Sequence, residues 1–243
     1  MPNEGIVAKL KKLKRSKENI LNLEAEISGF FQEGEYAVLP EHNRKLLLKA
    51  IEYHKNRPIP PRFGVLAGEI IHHLRSCFDH VVWHFSTGPA QNNMPVEFPV
   101  FTEEPVKKND IARFKGKIQK ITNPKVVSLI EGLQPYSTTD PMNDPLGIIH
   151  NFDITDKHKQ LVLCIGTASR NFPLEMSAVI ESYEREHPEL DAVQLANHFK
   201  AHGASKPSVS FRNFGRREIE SVIPGLTKLH QYTFNVIRQF EVL

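Results

Sequence analysis

The spacing of apolar residues predicts three long helices. Apolar side chains recur at intervals of three and four from Ile6 to Phe31, which predicts a long amphipathic helix. The stretch from Phe63 to Phe85 follows a proline-rich segment and contains no proline itself, so it predicts a central helix. Arg216 to Phe240 returns to the helical period and predicts a terminal helix.

Shorter helices are predicted after the central one. Proline, glycine and asparagine are frequent from Ser86 to Asn109, which indicates a loop. Asp110 is typical of the N-cap of a helix that runs to Ile121, and Pro124 opens another helix that ends near Leu133. Leu146 to Asp153 predicts a further helix that continues into the segment after it.

Two segments have the composition of β-strands. The run Gln160 to Ile165 is apolar and β-branched, which predicts a buried strand with Leu174 to Glu181 as its partner. Ser208 to Arg212 alternates between apolar and polar residues, as a half-buried strand does.

Together these elements predict an α+β fold, in which a central motif helix and a C-terminal helix pack with a small antiparallel sheet. The chain has no alternating βα rhythm, which a parallel doubly wound sheet would show. The length of 243 residues favours one domain, residues 1–243, with a loop-rich insertion around 86–145. Glycine-rich phosphate loops of either standard kind are missing, which argues against a Walker-type ATPase and a Rossmann dehydrogenase.

Composition adds a cellular compartment to this picture. No apolar run approaches the roughly 20 residues that cross a bilayer, so a membrane partner is not expected. The start Met1–Gly5 has no basic region before an apolar stretch, so we expect no secretory signal and a cytoplasmic protein. Cys77 and Cys164 lack a CxxC partner and are interpreted as reduced, buried thiols.

Charge is unevenly distributed although the net charge is only +3. Lysines and arginines crowd residues 9–17 and again residues 107–120. Segments of this kind attract polyanions, although they also occur as solvated helix faces. RNA or a nucleotide is therefore a partner that the charge pattern favours.

The central helix carries the densest group of titratable side chains. On a helix, one band contains Glu69, His73, Cys77, His80 and His84. His80 and His84 have the spacing of two zinc ligands, and a carboxylate from Asp153 or Asp156 would complete such a site. The zinc-protease glutamate between the histidines is missing, so packed polar residues are the alternative interpretation.

Arg75 and Asp79 lie four residues apart on the same helix, where an intrahelical ion pair is expected. Apolar neighbours indicate that this pair is half-buried, and Asp79 would then fix the direction of the guanidinium. A phosphate in the groove between Arg75 and His80 would be held by the arginine while the histidine exchanges a proton.

A second group of polar residues lies between His150 and Lys159. Lys157 offers a cation for a phosphate, and we assign substrate binding to Lys157 and Asn151. His158 supplies a second proton-transfer group, with Asp156 or Asp153 as its orienting carboxylate. The alternative is that Asp156 caps a helix and that Lys157 and His158 are surface residues.

The six residues Arg75-Ser76-Cys77-Phe78-Asp79-His80 resemble the Arg-x4-His motif of the HEPN superfamily. Many members of this superfamily are metal-independent ribonucleases with a helical fold. The resemblance implies that Arg75 and His80 are catalytic and that two copies of the motif meet in a homodimer.

The chain also resembles a group of largely uncharacterised bacterial proteins with a GExxHxLRSxxDH helix. The matching segments are Gly68 to His80, Phe98-Pro99, and Asp156-Lys157-His158. This resemblance implies a fold, with a late strand before a terminal helix, and no particular activity.

Three functions are consistent with these observations. The first is a metal-independent, HEPN-like ribonuclease without a cofactor, in which Arg75 and Lys157 hold phosphate while His80 and His158 transfer protons. The second is a binding or sensing module that holds a nucleotide or another anion without turnover. The third is a metal-dependent phosphohydrolase, whose ligands would be His73, His80, Asp79 and Asp156. The first two predict that both polar groups meet in one pocket.

Overall fold

The computed structural model describes residues 4–32, 57–86, 97–159, 161, 163–168, 206–215 and 217–243. Six α-helices lie in these ranges: α1 (Glu4–Gln32), α2 (Pro61–Phe85), α3 (Lys108–Ile118), α4 (Pro124–Gly132), α5 (Pro145–His158) and α6 (Val222–Phe240). Three strands accompany them: β1 (Leu163–Ala168), β2 (Lys206–Phe214) and β3 (Arg217–Ser221). Two short 3-10 turns, Pro135–Ser137 and Pro141–Asn143, lead into α5.

The strands form one antiparallel sheet in the order β1-β2-β3. Leu163 of β1 lies opposite Phe211 of β2, and Ser210 of β2 lies opposite Ser221 of β3. Long helices accompanied by a small antiparallel sheet confirm the predicted α+β class.

Helix α2 is the centre of the apolar core, and it packs against α1, α5 and α6. Its side chains Ile70, Ile71, Leu74 and Phe78 have no exposed surface, because apolar residues at these spacings line one side of the helix. Each such side chain contributes roughly 1.5 to 3 kcal/mol by burial. In the described ranges no helix combines the length and the apolar composition needed to span a bilayer.

The predicted helices at residues 6–31, 63–85, 124–133 and 146–153 are confirmed within a few residues of their ends. Helix α3 begins at Lys108, so Asp110 lies in its first turn and is not the N-cap as predicted. The cap of α5 is Asp144, whose carboxylate accepts hydrogen bonds from the backbone of Leu146 and Gly147. This cap fixes the start of α5, and the Asp156-Lys157-His158 motif therefore falls in its last turn.

The terminal helix differs from its prediction at its N-terminal end. Residues 217–221 form β3, and α6 begins only at Val222. The reason is the turn at Gly215, whose φ of +62° suits glycine and reverses the chain into a hairpin with β2. Pairing with the preceding strand β2 thus outweighs the local helical period.

Of the predicted strand at residues 160–165, residues 163–165 lie in β1, which extends to Ala168. Its partner in the structure is β2. The partner predicted at Leu174 to Glu181 lies outside the described residues.

Candidate functional site

A polar stripe runs along α2 on the side that the core does not cover. It consists of Glu69, His72, His73, Ser76 and His80. At about 100° per residue these five positions fall within roughly 100° of the helix circumference. Helix α1 contacts one side of this stripe through Lys12, and α5 contacts the other side through Asp153.

A histidine–aspartate pair links the stripe to α5. The Nδ1 atom of His72 lies 3.0 Å from Oδ1 of Asp153, whose other oxygen accepts from Nζ of Lys157 at 2.6 Å. The Asp153 side chain is 4% exposed, whereas that of His72 is 55% exposed. A carboxylate only accepts hydrogen bonds, so Nδ1–H donates and Nε2 is left as the proton acceptor of the ring.

Asp156 approaches the same part of α2 one turn away. A Cβ atom built on Gly68 would lie 2.4 Å from both carboxylate oxygens of Asp156, so only glycine leaves room for this carboxylate. Burial raises the pKa of Asp156, and the neighbouring Asp153 raises it further. The start of the Gly68–His80 segment and the Asp156–His158 motif therefore meet in space.

His80 lies on the α1 side of the stripe. Its Nε2 accepts a hydrogen bond from Nζ of Lys12 at 3.0 Å, and the same ammonium lies 3.3 Å from Oγ of Ser76. Nearby, Nδ1 of His73 is buried and has no hydrogen-bond partner among the described residues. Burial lowers the pKa of His73, and His72 and Lys12 lower it further. Helix α1 thus places positive charge directly beside the polar stripe.

Arg75 points away from this stripe and is 3% exposed. Its guanidinium donates to Asp79, to Oε1 of Glu97 at 3.3 Å and to the carbonyl of Phe98 at 2.9 Å. Asp79 in turn accepts from the backbone N–H of Phe98 at 2.8 Å. Burial raises the pKa of Asp79, while Arg75 acts in the opposite direction. The Arg75–Asp79 pair expected from the sequence is present, and it fastens residues 97–98 to α2.

A cleft of about 480 Å³ lies between α3, α5 and the segment that Arg75 fastens. Glu97, Lys117 and His150 meet in it, and Nζ of Lys117 lies 3.0 Å from the Glu97 carboxylate. Nδ1 of His150 is buried without a hydrogen-bond partner among the described residues. Burial lowers the pKa of His150 to about 4, with Arg75 as the second cause.

The structure does not bring His80 and His158 together. Contacts of His72 with Asp153 and of Gly68 with Asp156 show that α5 runs antiparallel to α2. His158 therefore lies beyond the level of Gly68, whereas His80 lies twelve residues in the other direction, about 18 Å of helix rise. His158 is exposed at the end of α5.

Asn151 is also exposed and lies on another side of α5. It borders a separate cavity of about 240 Å³, together with Phe152 and Phe211. Of the residues expected to bind substrate or orient a histidine, Lys157 and Asp156 are thus near the polar stripe, and Asn151 is not.

The metal-binding arrangement considered as an alternative has no counterpart in the described ranges. There, no three side chains of histidine, cysteine, aspartate or glutamate converge in a way that would hold a metal ion. Cys77, which the helical band included, is completely buried in the core.

Sequence reasoning did not single out His72, which its contact with Asp153 makes a candidate residue of the site. It lies three residues after Glu69 and one turn from Gly68, within the GExxH part of the motif. The glycine is the signal that would have located it, because an unexplained glycine inside a helix indicates close approach of another element. That approach brings α5, and with it Asp153, to His72.

Comparisons with known proteins do not assign this chain to a family. No family model matches it, and no curated protein or solved structure matches it significantly. The function is therefore inferred from the geometry of the polar stripe.

Proposed function

We propose that this protein is a metal-independent ribonuclease whose acid–base centre is the His72–Asp153 pair. The observation that carries the proposal is a buried carboxylate on Nδ1 of an exposed imidazole. This arrangement fixes the tautomer and direction of the ring, as the aspartate does for the base of a hydrolytic triad. The His72 side chain is 55% exposed, which leaves the ring accessible to a substrate hydroxyl.

Cleavage of RNA requires a base, an acid and a cation, and the residues around His72 include all three. The base, His72, removes the proton of the 2′-hydroxyl, and the 2′-oxygen attacks phosphorus. The bond from phosphorus to the 5′-oxygen breaks, and Asp156 donates the proton that this oxygen needs. Its raised pKa suits an acid, because more of the group stays protonated. The products are a 2′,3′-cyclic phosphate and a 5′-hydroxyl.

Lys157 is a cation in direct contact with this centre. It uses one N–H on Asp153 and has three donors in all, so two remain for a phosphate oxygen. Its side chain is 52% exposed, which leaves the ammonium accessible. The proposal thus keeps Lys157 as a substrate-binding residue. It replaces His80 and His158 with His72 as the catalytic histidine.

Helix α1 supports a polyanionic substrate. Lys11, Lys14 and Lys17 are exposed on it, and Lys12 contacts the polar stripe itself. Positive charge along a helix beside the reacting groups raises the local concentration of a phosphate backbone. The same observation favours a second candidate, a protein that binds RNA through this face without cleaving it.

Cleavage of a labelled single-stranded RNA in excess EDTA tests the proposal. Wild-type protein should cut the RNA, and a strand with 2′-deoxy sugars should stay intact because the nucleophile is missing. Asp153→Asn should lower the rate by roughly a hundredfold or more. Glu131→Gln replaces an exposed glutamate on α4, outside the polar stripe, and serves as the matched control. RNA binding without any cleavage would contradict the proposed ribonuclease activity and support the second candidate, an RNA-binding protein.

A further inference from the structure

We infer that the cleft beside His72 and Asp153 is a base-recognition pocket that selects guanine, an inference that rests on the proposed ribonuclease function. The relevant observations are the position of the cleft, the carboxylate and imidazole inside it, and the charges at its rim.

The cleft is next to the acid–base centre. His150 in the cleft and Asp153 in the centre lie three residues apart on α5, so their side chains are neighbours on one face. Arg75 connects the two regions from α2. It lies one turn after His72 in the helix, and its guanidinium contacts the carboxylate of Glu97. A nucleotide bound in the cleft would thus hold its own phosphodiester close to His72.

The volume of about 480 Å³ is within the range of small-molecule sites, roughly 300 to 1,000 Å³. Phe101 lines the cleft and provides a ring on which a base can stack. A guanidinium, that of Arg113, lies 5.9 Å from the centroid of this ring. Stacking by itself does not distinguish one base from another, so selection must come from polar groups.

Glu97 is the group that selects guanine over the other bases. Arg75 at 3.3 Å and Lys117 at 3.0 Å hold its carboxylate in place, and the side chain is still 40% exposed. Two carboxylate oxygens accept about four hydrogen bonds, so acceptor sites remain for a ligand. Guanine presents two adjacent donors, N1–H and the N2 amino group, which match a carboxylate. Adenine and cytosine place an acceptor beside their amino group, and uracil has one donor between two acceptors.

His150 adds a second polar contact inside the cleft. Its ring lines the cleft, and its buried Nδ1 lacks a hydrogen-bond partner among the described residues. A neutral imidazole can donate to O6 or N7 of guanine, depending on its tautomer.

The rim carries both signs of charge. Lys107 and Arg113 are exposed there and suit a phosphate, whereas Glu103 and Glu104 are exposed acids that repel one. A single phosphate therefore fits better than a polyphosphate. The ligand class is a guanosine monophosphate unit, either free or within an RNA strand.

Calorimetric titration of the wild-type protein with 3′-GMP, 3′-AMP, 3′-CMP and 3′-UMP tests this inference without requiring cleavage. GMP should bind at least tenfold more tightly than the other three. Glu97→Gln should remove this preference, because an amide offers one acceptor where the carboxylate offers two. Glu131→Gln, an exposed glutamate on α4 outside the cleft, is the matched control. His150→Asn should also weaken GMP binding, and it serves if the Glu97 variant does not fold.

The outcomes separate the two proposals. Equal affinity for the four nucleotides, or a preference that survives both variants, would overturn the guanine pocket. If RNA is nevertheless cut with no base preference, the ribonuclease activity is supported and the guanine pocket is refuted. If GMP binds through Glu97 but no RNA is cut, the pocket stands and the ribonuclease falls.

Discussion

Replacing Arg75 by alanine should destabilise the fold severely, because this side chain connects a helix to a distant segment. The variant removes the partner of Asp79 and leaves the Phe98 carbonyl without a donor from Arg75. Breaking a buried ion pair typically costs about 3 to 5 kcal/mol, and an unsatisfied carbonyl about 1 to 3 kcal/mol. Water reaches Asp79, whose side chain is 32% exposed, so we expect a total near 3 kcal/mol.

Urea unfolding followed by circular dichroism measures this change. Arg113→Ala is the matched control, because its side chain is 68% exposed and its pair with Asp110 is worth about 0 to 1 kcal/mol. The double variant Arg75→Met with Asp79→Leu should be more stable than Arg75→Ala, since it removes both charges from the buried site.

The loss should also depend on pH. Burial raises the pKa of Asp79 above its ordinary value, so the folded state binds the proton of this carboxyl more tightly than the unfolded state does. The free energy of unfolding therefore falls as the pH rises from the ordinary pKa of aspartate to the raised pKa of Asp79. Without Arg75 the pKa rises further, so Arg75→Ala should be less destabilising at pH 5 than at pH 7. An Arg75→Ala protein as stable as wild type, or a loss independent of pH, would refute the buried-pair explanation.

Four further single sites give testable expectations. Gly68→Ala should displace Asp156 and slow RNA cleavage, whereas Gly116→Ala, at an open helical position, should stabilise the protein by about 0.5 to 1 kcal/mol. The His150 imidazole should titrate near pH 4 in an NMR experiment. The free energy of unfolding should fall as the pH drops from 6.5 toward 4, because in this range histidine is protonated in the unfolded state and neutral in the folded state. His150→Asn should remove this pH dependence. Gly215→Ala should cost about 1 to 3 kcal/mol in urea unfolding, since φ there is +62°; a cost near zero would contradict the hairpin turn.

The sequence was sufficient to predict the helices, because each long helix buries a stripe of apolar residues that is visible in the chain itself. Phe63 to Phe85 is the clearest case, and the observed α2 differs from it by two residues at its start. Hairpin β2–β3 was partly missed, since the pairing of residues 217–221 depends on a strand and a turn that lie outside that segment.

The site was predicted in composition but not in pairing. Both polar groups were recognised, and Asp156 and Lys157 do lie beside α2. Which histidine they meet depends on the direction and register of α5 against α2, and no local pattern encodes these. Arg75 shows the same limit: its ion pair with Asp79 follows from spacing, but its contact with Phe98 does not.

The most direct test of the account compares the rates at which His72→Ala, His80→Ala and His158→Ala cut the same RNA in excess EDTA. The account predicts that His72→Ala loses roughly a hundredfold or more, while the other two stay within a few-fold of wild type. Loss of activity in His80→Ala or His158→Ala, with His72→Ala fully active, would contradict it.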